Sequence, residues 1–269
     1  MSRWATGALL LLAVGVPAVR ATPLCTLVVE ADTGKTLRQE GRCEERQTPA
    51  STFKIPLSLI GYDSGYLIDA HHPALPFREG YTVSESGSKA TVDPTTWISN
   101  SVVWYSQQLT AWLGAERLQH YITRFGYGNQ NLTGNAGMND GLTQAWLSSS
   151  LRISPEEQVA FLRRLVNREL PVTTRAYEMT ARLTAVSVLP GGWEVHGKTG
   201  AGYLMRADGS ADIRQQVGWF VGWASRGPRT VVFACDISDD RPDSTRIGRQ
   251  VREDFLARLP ALLDGAPAR

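Results

Sequence analysis

Strand-forming runs lie at both ends of this chain and helical patterning fills the middle, and no other feature constrains the fold as tightly. Residues 25–30 are rich in β-formers, and Asp32-Thr33-Gly34 is a turn signal before a second short run. Near the other end, Trp193 to Gly197, Val217 to Ala224 and Thr230 to Asp236 read as strands, the last two joined by the turn Ser225-Arg226-Gly227-Pro228. Between them, a helix is expected to start near Ser51, because Pro56 is tolerated only in the first turns. Residues 101–125 read as two helical pieces broken at Gly114. Ser154-Pro155-Glu156-Glu157 carries an N-cap serine, a proline at the first position and a glutamate at the third, a strong helix start. Val159, Leu162, Leu165 and Val166 follow at helical spacing and should face the core. Residues 175–186 and about 245–263 are further helices. Residues 63–96 read as loop with short elements, and 130–145 as a long polar loop of the kind that often carries function. The economical solution is an α/β (α+β) fold: one antiparallel sheet built from both termini, flanked by helices, with a helical insertion.

The first 21 residues are set apart from this pattern. Arg3 precedes an uncharged, apolar or small stretch from Trp4 to Val19, and Val19-Arg20-Ala21 offers small residues for cleavage after Ala21. Residues 1–21 therefore read as a secretory signal peptide and 22–269 as a single domain. A membrane anchor fits less well, since the run is short for a spanning helix and Pro17 interrupts it. Lipidation at Cys25 is disfavoured by the bulk of Leu24. Arg3 and Arg20 are the leader's only charges, so the remainder carries 26 basic and 26 acidic residues. That balance gives no reason to expect nucleic acid or an anionic membrane as partner. Export places Cys25 and Cys43, which flank the N-terminal hairpin, in an oxidising compartment where a disulfide fits. Cys235 lies in an apolar run and reads as a core thiol.

Two short motifs carry chemistry. Ser51 and Lys54 stand three apart at a helix start, on one face, so hydroxyl and amine can touch. A serine needs a base to become nucleophilic, and a lysine is that base only when burial keeps it neutral. Ser-x-x-Lys alone also describes an N-cap serine with a solvated lysine. Lys198-Thr199-Gly200, placed at a strand end and followed by Ala201-Gly202, suits a substrate carboxylate; taken alone it is a strand end with an exposed lysine. The two motifs in this order are the signature of penicillin-recognising serine enzymes. His71, His72, His120 and His196 show no metal-ligand spacing, so no metal is expected.

Over essentially the whole mature chain the sequence resembles the class D (oxacillinase-type) β-lactamases. Pro49-Ala50-Ser51-Thr52-Phe53-Lys54, Ser101-Val102-Val103, Tyr127-Gly128-Asn129, Trp146-Leu147 ahead of Ile153-Ser154-Pro155, Lys198-Thr199-Gly200 and Gly218-Trp219-Phe220-Val221-Gly222-Trp223 carry the resemblance. It implies the penicillin-recognising serine enzyme fold and hydrolysis of β-lactam rings, conferring antibiotic resistance, in the bacterial periplasm. It implies an acyl-serine intermediate on Ser51. Lys54, carboxylated by carbon dioxide or bicarbonate, would act as general base in both half-reactions; no other cofactor is implied. Trp146 would hold the carbamate, Ser101 would pass a proton to the leaving nitrogen with Lys198 nearby, and the Ser51 and Ala201 backbone N–H groups would form the oxyanion hole. Thr199, Gly200 and Ala201 would bind substrate, Val103 and Leu147 would control water at the lysine, and Tyr127 is placed in the site wall. Ser101 can equally be the N-cap of the next helix, and Trp146, Val103, Leu147 and Tyr127 can be plain core. The family's carboxylate-binding arginine falls at Arg246 or Arg249, with Arg249 favoured. A cell-wall peptidase or an acylated sensor shares the first half of this chemistry. The peptidase predicts extra domains or an anchoring tail, and the sensor several membrane-spanning helices ahead of the domain. A homodimer is compatible with this reading.

Overall fold

The computed structural model describes residues 21–83, 89–240 and 246–264; the leader expected over residues 1–21 lies almost wholly outside them. The sheet is six-stranded and antiparallel throughout, in the order β2-β1-β6-β5-β4-β3. Its strands are β1 Thr22–Glu30, β2 Thr36–Gly41, β3 Ala185–Leu189, β4 Trp193–Met205, β5 Ala211–Arg226 and β6 Arg229–Asp239. The N-terminal hairpin thus joins the C-terminal meander through β1 and β6, with Val28 opposite Phe233. Among the described residues seven α-helices intervene between β2 and β3: α1 Lys54–Asp63, α2 Pro94–Ser99, α3 Val103–Leu113, α4 Ala115–Phe125, α5 Gly141–Gln144, α6 Pro155–Val166 and α7 Thr174–Leu183. The last helix, α8 Ile247–Leu263, returns to the sheet.

Strand alternation divides the core in two. From β5, Val217, Trp219, Val221 and Trp223 point to the larger core with α1, α3 and α6, while Phe220 and Ala224 point to α8. Phe220, Phe233 and Phe255 form an aromatic cluster under α8, with Phe233 and Phe255 ring centres 4.6 Å apart. The start of α8 lies almost on the sheet. A Cβ at Gly248 would come within 2.9 Å of the Gly200 carbonyl, and one at Gly218 within 2.9 Å of the Ile247 backbone, so glycine is required on both sides of this contact. Cys25 on β1 is bonded to Cys43, just after β2, and Cys235 is buried as a free thiol.

Several boundaries differ from the sequence reading; β5 begins at Ala211, six residues ahead of the expected Val217. Lys198-Thr199-Gly200 sits within β4, which runs on to Met205. Gly197, Gly200 and Gly202 depress strand propensity there, yet each is needed where another segment presses on the strand. The short edge strand β3 carries no turn signal ahead of it, and α7 ends at Leu183 rather than 186.

Candidate active site

Ser51 stands in a single 3-10 turn, Ala50–Phe53, that leads into α1. Ala50 enters the turn at φ +46°, a left-handed conformation unfavourable for a residue with a Cβ. Thr52 closes it from within: its hydroxyl donates to the Pro49 carbonyl at 2.6 Å and its N–H to the same oxygen at 3.1 Å. One residue past the turn, Lys54 donates to Ser51 Oγ at 3.1 Å. Lys54 is 1% exposed. Burial, reinforced by the nearby Lys198 ammonium, holds its amine well below the usual lysine range. The sequence feature that brings amine and hydroxyl together is the spacing of three. Phe53, the neighbour of Lys54 in the chain, stacks on Trp146 with ring centres 5.3 Å apart.

The second motif arrives from β4. Lys198 donates to Ser101 Oγ at 3.1 Å and to the Thr199 carbonyl at 3.1 Å. Burial first, and Arg252 second, bring its amine down to about 7. Ser101 occupies the left-handed region at φ +58°, two residues before α3. The N-cap of α3 is Val102, with no side-chain cap, so Ser101 is not the helix cap and its hydroxyl is turned to Lys198.

β3 pairs with β4 only as far as His196, so from Gly197 onward one edge of β4 has no strand neighbour. In an antiparallel strand, alternate residues direct N–H and C=O to the same edge. Along this open edge Gly197 N–H donates to the Thr184 carbonyl, Tyr203 N–H to Ser148 Oγ and Met205 N–H to Gln47 Oε1. The same parity aims the Thr199 and Ala201 N–H groups at the gap between them, where the Ser51 turn lies. The turn and the strand touch there: a Cβ at Gly200 would stand 3.0 Å from the Pro49 carbonyl and from Thr52 Cγ2, and one at Gly202 would stand 2.7 Å from Thr48 Cγ2. Ala201 itself is exposed.

The loop after α5 closes the far side. Thr48 Oγ1 donates to the Trp146 carbonyl and accepts from Ser148 N–H, both at 2.9 Å, and Trp219 Nε1 donates to the Thr48 carbonyl at 2.9 Å. Trp146 is buried, Val103 is buried at the start of α3 and Leu147 is half-buried.

One residue falls elsewhere than the sequence reading put it. Tyr127 is fully buried behind Phe53, between Phe53 and Phe161 with ring centres 5.6 and 5.1 Å away, so it does not form the substrate wall. Burial also pushes its phenol up, away from any proton transfer at neutral pH. Arg246 and Arg249 are both exposed. Arg252 stands beside Lys198 and lines a cavity of about 210 Å³ with Lys198, Thr199, Leu183, Thr184 and Val186, on the α7 and β3 side of β4 and without Ser51 or Ala201. It stands one helical turn beyond Gly248, the residue pressed on Thr199 and Gly200. That phase was not available from a row of three arginines on a terminal helix. Among the described residues no group of three or more His, Cys, Asp or Glu is placed to hold a metal, and no helix is long and apolar enough to cross a membrane.

Known proteins share this arrangement. The chain matches the penicillin binding protein transpeptidase domain family over residues 24–259. It is 43% identical over 241 residues to beta-lactamase OXA-9 of Klebsiella pneumoniae, covering 89% of this chain and 88% of that one. It is 38% identical over 209 residues to beta-lactamase OXA-1 of Escherichia coli, covering 77% and 72%. The crystal structure of the OXA-427 class D β-lactamase superposes with a TM-score of 0.86 at 46% identity, over 91% of this chain and all of that one. With a serine, two dry lysines and an open strand edge converging in one cleft, and with relatives of this similarity over nearly its full length, the chain belongs to the class D serine β-lactamases.

Proposed function

We propose that this enzyme hydrolyses penicillin-type β-lactams through an acyl group carried on Ser51, and that Lys54, once carboxylated, is its general base. The observation that carries the reading is the Lys54 amine, buried 3.1 Å from Ser51 Oγ and held by that burial well below the usual lysine range. A neutral amine in a dry pocket is the form that adds to carbon dioxide, so the site fits the modification. The carbamate supplies a carboxylate base, first for the serine and then for water.

The chain's own groups account for the rest. Ser51 Oγ attacks the lactam carbonyl carbon, and the oxygen that becomes negative faces the Ser51 and Ala201 N–H groups. When the ring C–N bond breaks, Ser101 gives its proton to the departing nitrogen and recovers one from Lys198, 3.1 Å away. Thr199, Lys198 and Arg252 receive the substrate carboxylate, the arginine through its two-pronged donor geometry. Val103 and Leu147 meter water to the base, and Trp146 holds the carbamate in place. Hydrolysis of the ester frees Ser51. The disulfide between Cys25 and Cys43 fits an exported protein, released in the periplasm by cleavage after Ala21.

The test is intact-protein mass spectrometry with penicillin, alongside steady-state hydrolysis. The parent enzyme should turn over, Ser51→Ala should take no acyl group, and Lys54→Ala should lose turnover. Parent enzyme stripped of carbon dioxide at low pH should regain activity with bicarbonate and show a carbamate carbon signal by NMR. A parent that stays acylated without turnover defeats the lactamase reading, and indifference to bicarbonate defeats the carbamate.

A further inference from the structure

Helix α6 buries Gln158 in the apolar stripe it forms with Phe161, Leu162 and Leu165. Gln158 is 1% exposed. A primary amide at such a position is unfavourable unless each of its polar atoms is paired, and a residue needed only for packing there would be apolar. Gln158 Nε2 donates to Thr52 Oγ1 at 3.0 Å, and its Oε1 accepts from the Tyr127 hydroxyl at 3.5 Å. Thr52 Oγ1 has one proton, already committed to the Pro49 carbonyl at 2.6 Å. The Tyr127 hydroxyl also bonds the Thr52 side chain directly, so Tyr127, Gln158 and Thr52 form one cluster whose outlet to the backbone is the bond from Thr52 Oγ1 to the Pro49 carbonyl. All three side chains are buried, where such chains reinforce one another.

The cluster ends at the backbone just before Ala50, the strained residue that turns Ser51 into the cleft. It also fixes the Thr52 rotamer. The Thr52 methyl is what a Cβ at Gly200 would meet at 3.0 Å, on the strand that presents the Ala201 N–H. We propose that Gln158 is a positioning residue: acting through Thr52, it sets the separation between the Ser51 turn and the open edge of β4. Glutamine suits the place because one planar group both accepts from Tyr127 and donates to Thr52. Leucine does neither, and an ionised glutamate only accepts.

The inference rests on Ser51 being the nucleophile, and acylation of the parent enzyme by penicillin tests that premise separately: no acyl group on Ser51 would remove the premise, not the geometry. Given acylation, Gln158→Leu should lower kcat and the acylation rate roughly 10- to 100-fold, as small misplacements of reacting groups do, with KM held within about twofold. Placed on a Thr52→Val background, the same substitution should cost less than about a further twofold, because its route of action is already cut. Gln158→Glu should gain a pH dependence absent from the parent. Its rate recovers as the pH falls, since a protonated carboxyl can again donate to Thr52, and drops as it ionises. If Gln158→Leu does not fold, the glutamate variant decides alone. Losses that add across Thr52→Val and Gln158→Leu, a lower Tm with unchanged kcat, or a Gln158→Glu profile parallel to the parent would each overturn the proposal.

Discussion

Lys198 titrates near neutrality because its ammonium is both dehydrated and set against a second cation. Burial is the larger effect and Arg252 the smaller. The arrangement suits the proposed role of Lys198, holding a proton for Ser101 beside the substrate carboxylate. Arg252→Gln is therefore expected to do two separable things. Loss of a charge-assisted contact should raise KM for a carboxylate-bearing penicillin by about 10-fold or more. Loss of the neighbouring cation should let the Lys198 amine rise from about 7, moving the alkaline limb of kcat/KM to higher pH. A pH profile that does not move, with KM unchanged, would place the carboxylate elsewhere. Arg249→Gln, exposed on the next position of the turn after Gly248, serves as the control.

At the scale of elements, the strongest local signals proved to be the real ones. Ser154 and Glu157 form a reciprocal capping box at the start of α6, with Arg46 held against Glu157 by Nε at 2.9 Å. Ser154→Ala should cost about 1 kcal/mol, read as a Tm lower by roughly 2–4 °C for a domain of this size; an unchanged Tm would show that α6 is fixed by packing alone. The break at Gly114, the hairpin after Arg226 and the helix starting near Ser51 were equally legible, because caps, turns and proline placement act within a few residues. What stayed hidden depends on partners distant in sequence. The strand character of residues 197–202 is imposed by β5 and the Ser51 turn against the local preference of three glycines. Tyr127 could be put behind Phe53 only once α6 had supplied Phe161. Arg252 could be placed beside Lys198 only once Gly248 had fixed the phase of α8. The pairing of the Ser51 hydroxyl with the Lys54 amine was readable because the two stand three positions apart at a helix start. Gln158, 106 positions away from the Thr52 it bonds, was not.

For the molecule as a whole, the protonation of Asp236 bears on stability. It lies on β6 opposite Cys25 and Trp219, 2% exposed, and one of its oxygens has no hydrogen-bond partner. Burial raises its carboxyl to about 8 despite a backbone hydrogen bond from Cys25. A carboxyl whose folded pKa lies above its unfolded value of about 3.9 favours the folded state at low pH. That advantage is lost as the pH climbs from about 4 to about 8, and is gone beyond. Asp236→Asn, which cannot ionise, should escape this loss. The Tm difference, variant minus parent, should grow more positive between pH 5 and pH 8, measured by differential scanning fluorimetry. A difference that stays flat would mean the carboxyl ionises normally in the folded protein.

The pairing of β1 with β6 has a kinetic side. β1 is made among the first residues of the domain, and the strand that fills its inner edge is made some 200 residues later. Until then the nascent chain offers an unsatisfied sheet edge and half a core, so commitment to the native topology is reserved for the completed polypeptide. Folds that depend on such distant contacts are slow to form and vulnerable to aggregation while they wait. For this enzyme, how much active protein accumulates is governed as much by what shelters the unfinished chain as by the equilibrium stability of the finished one.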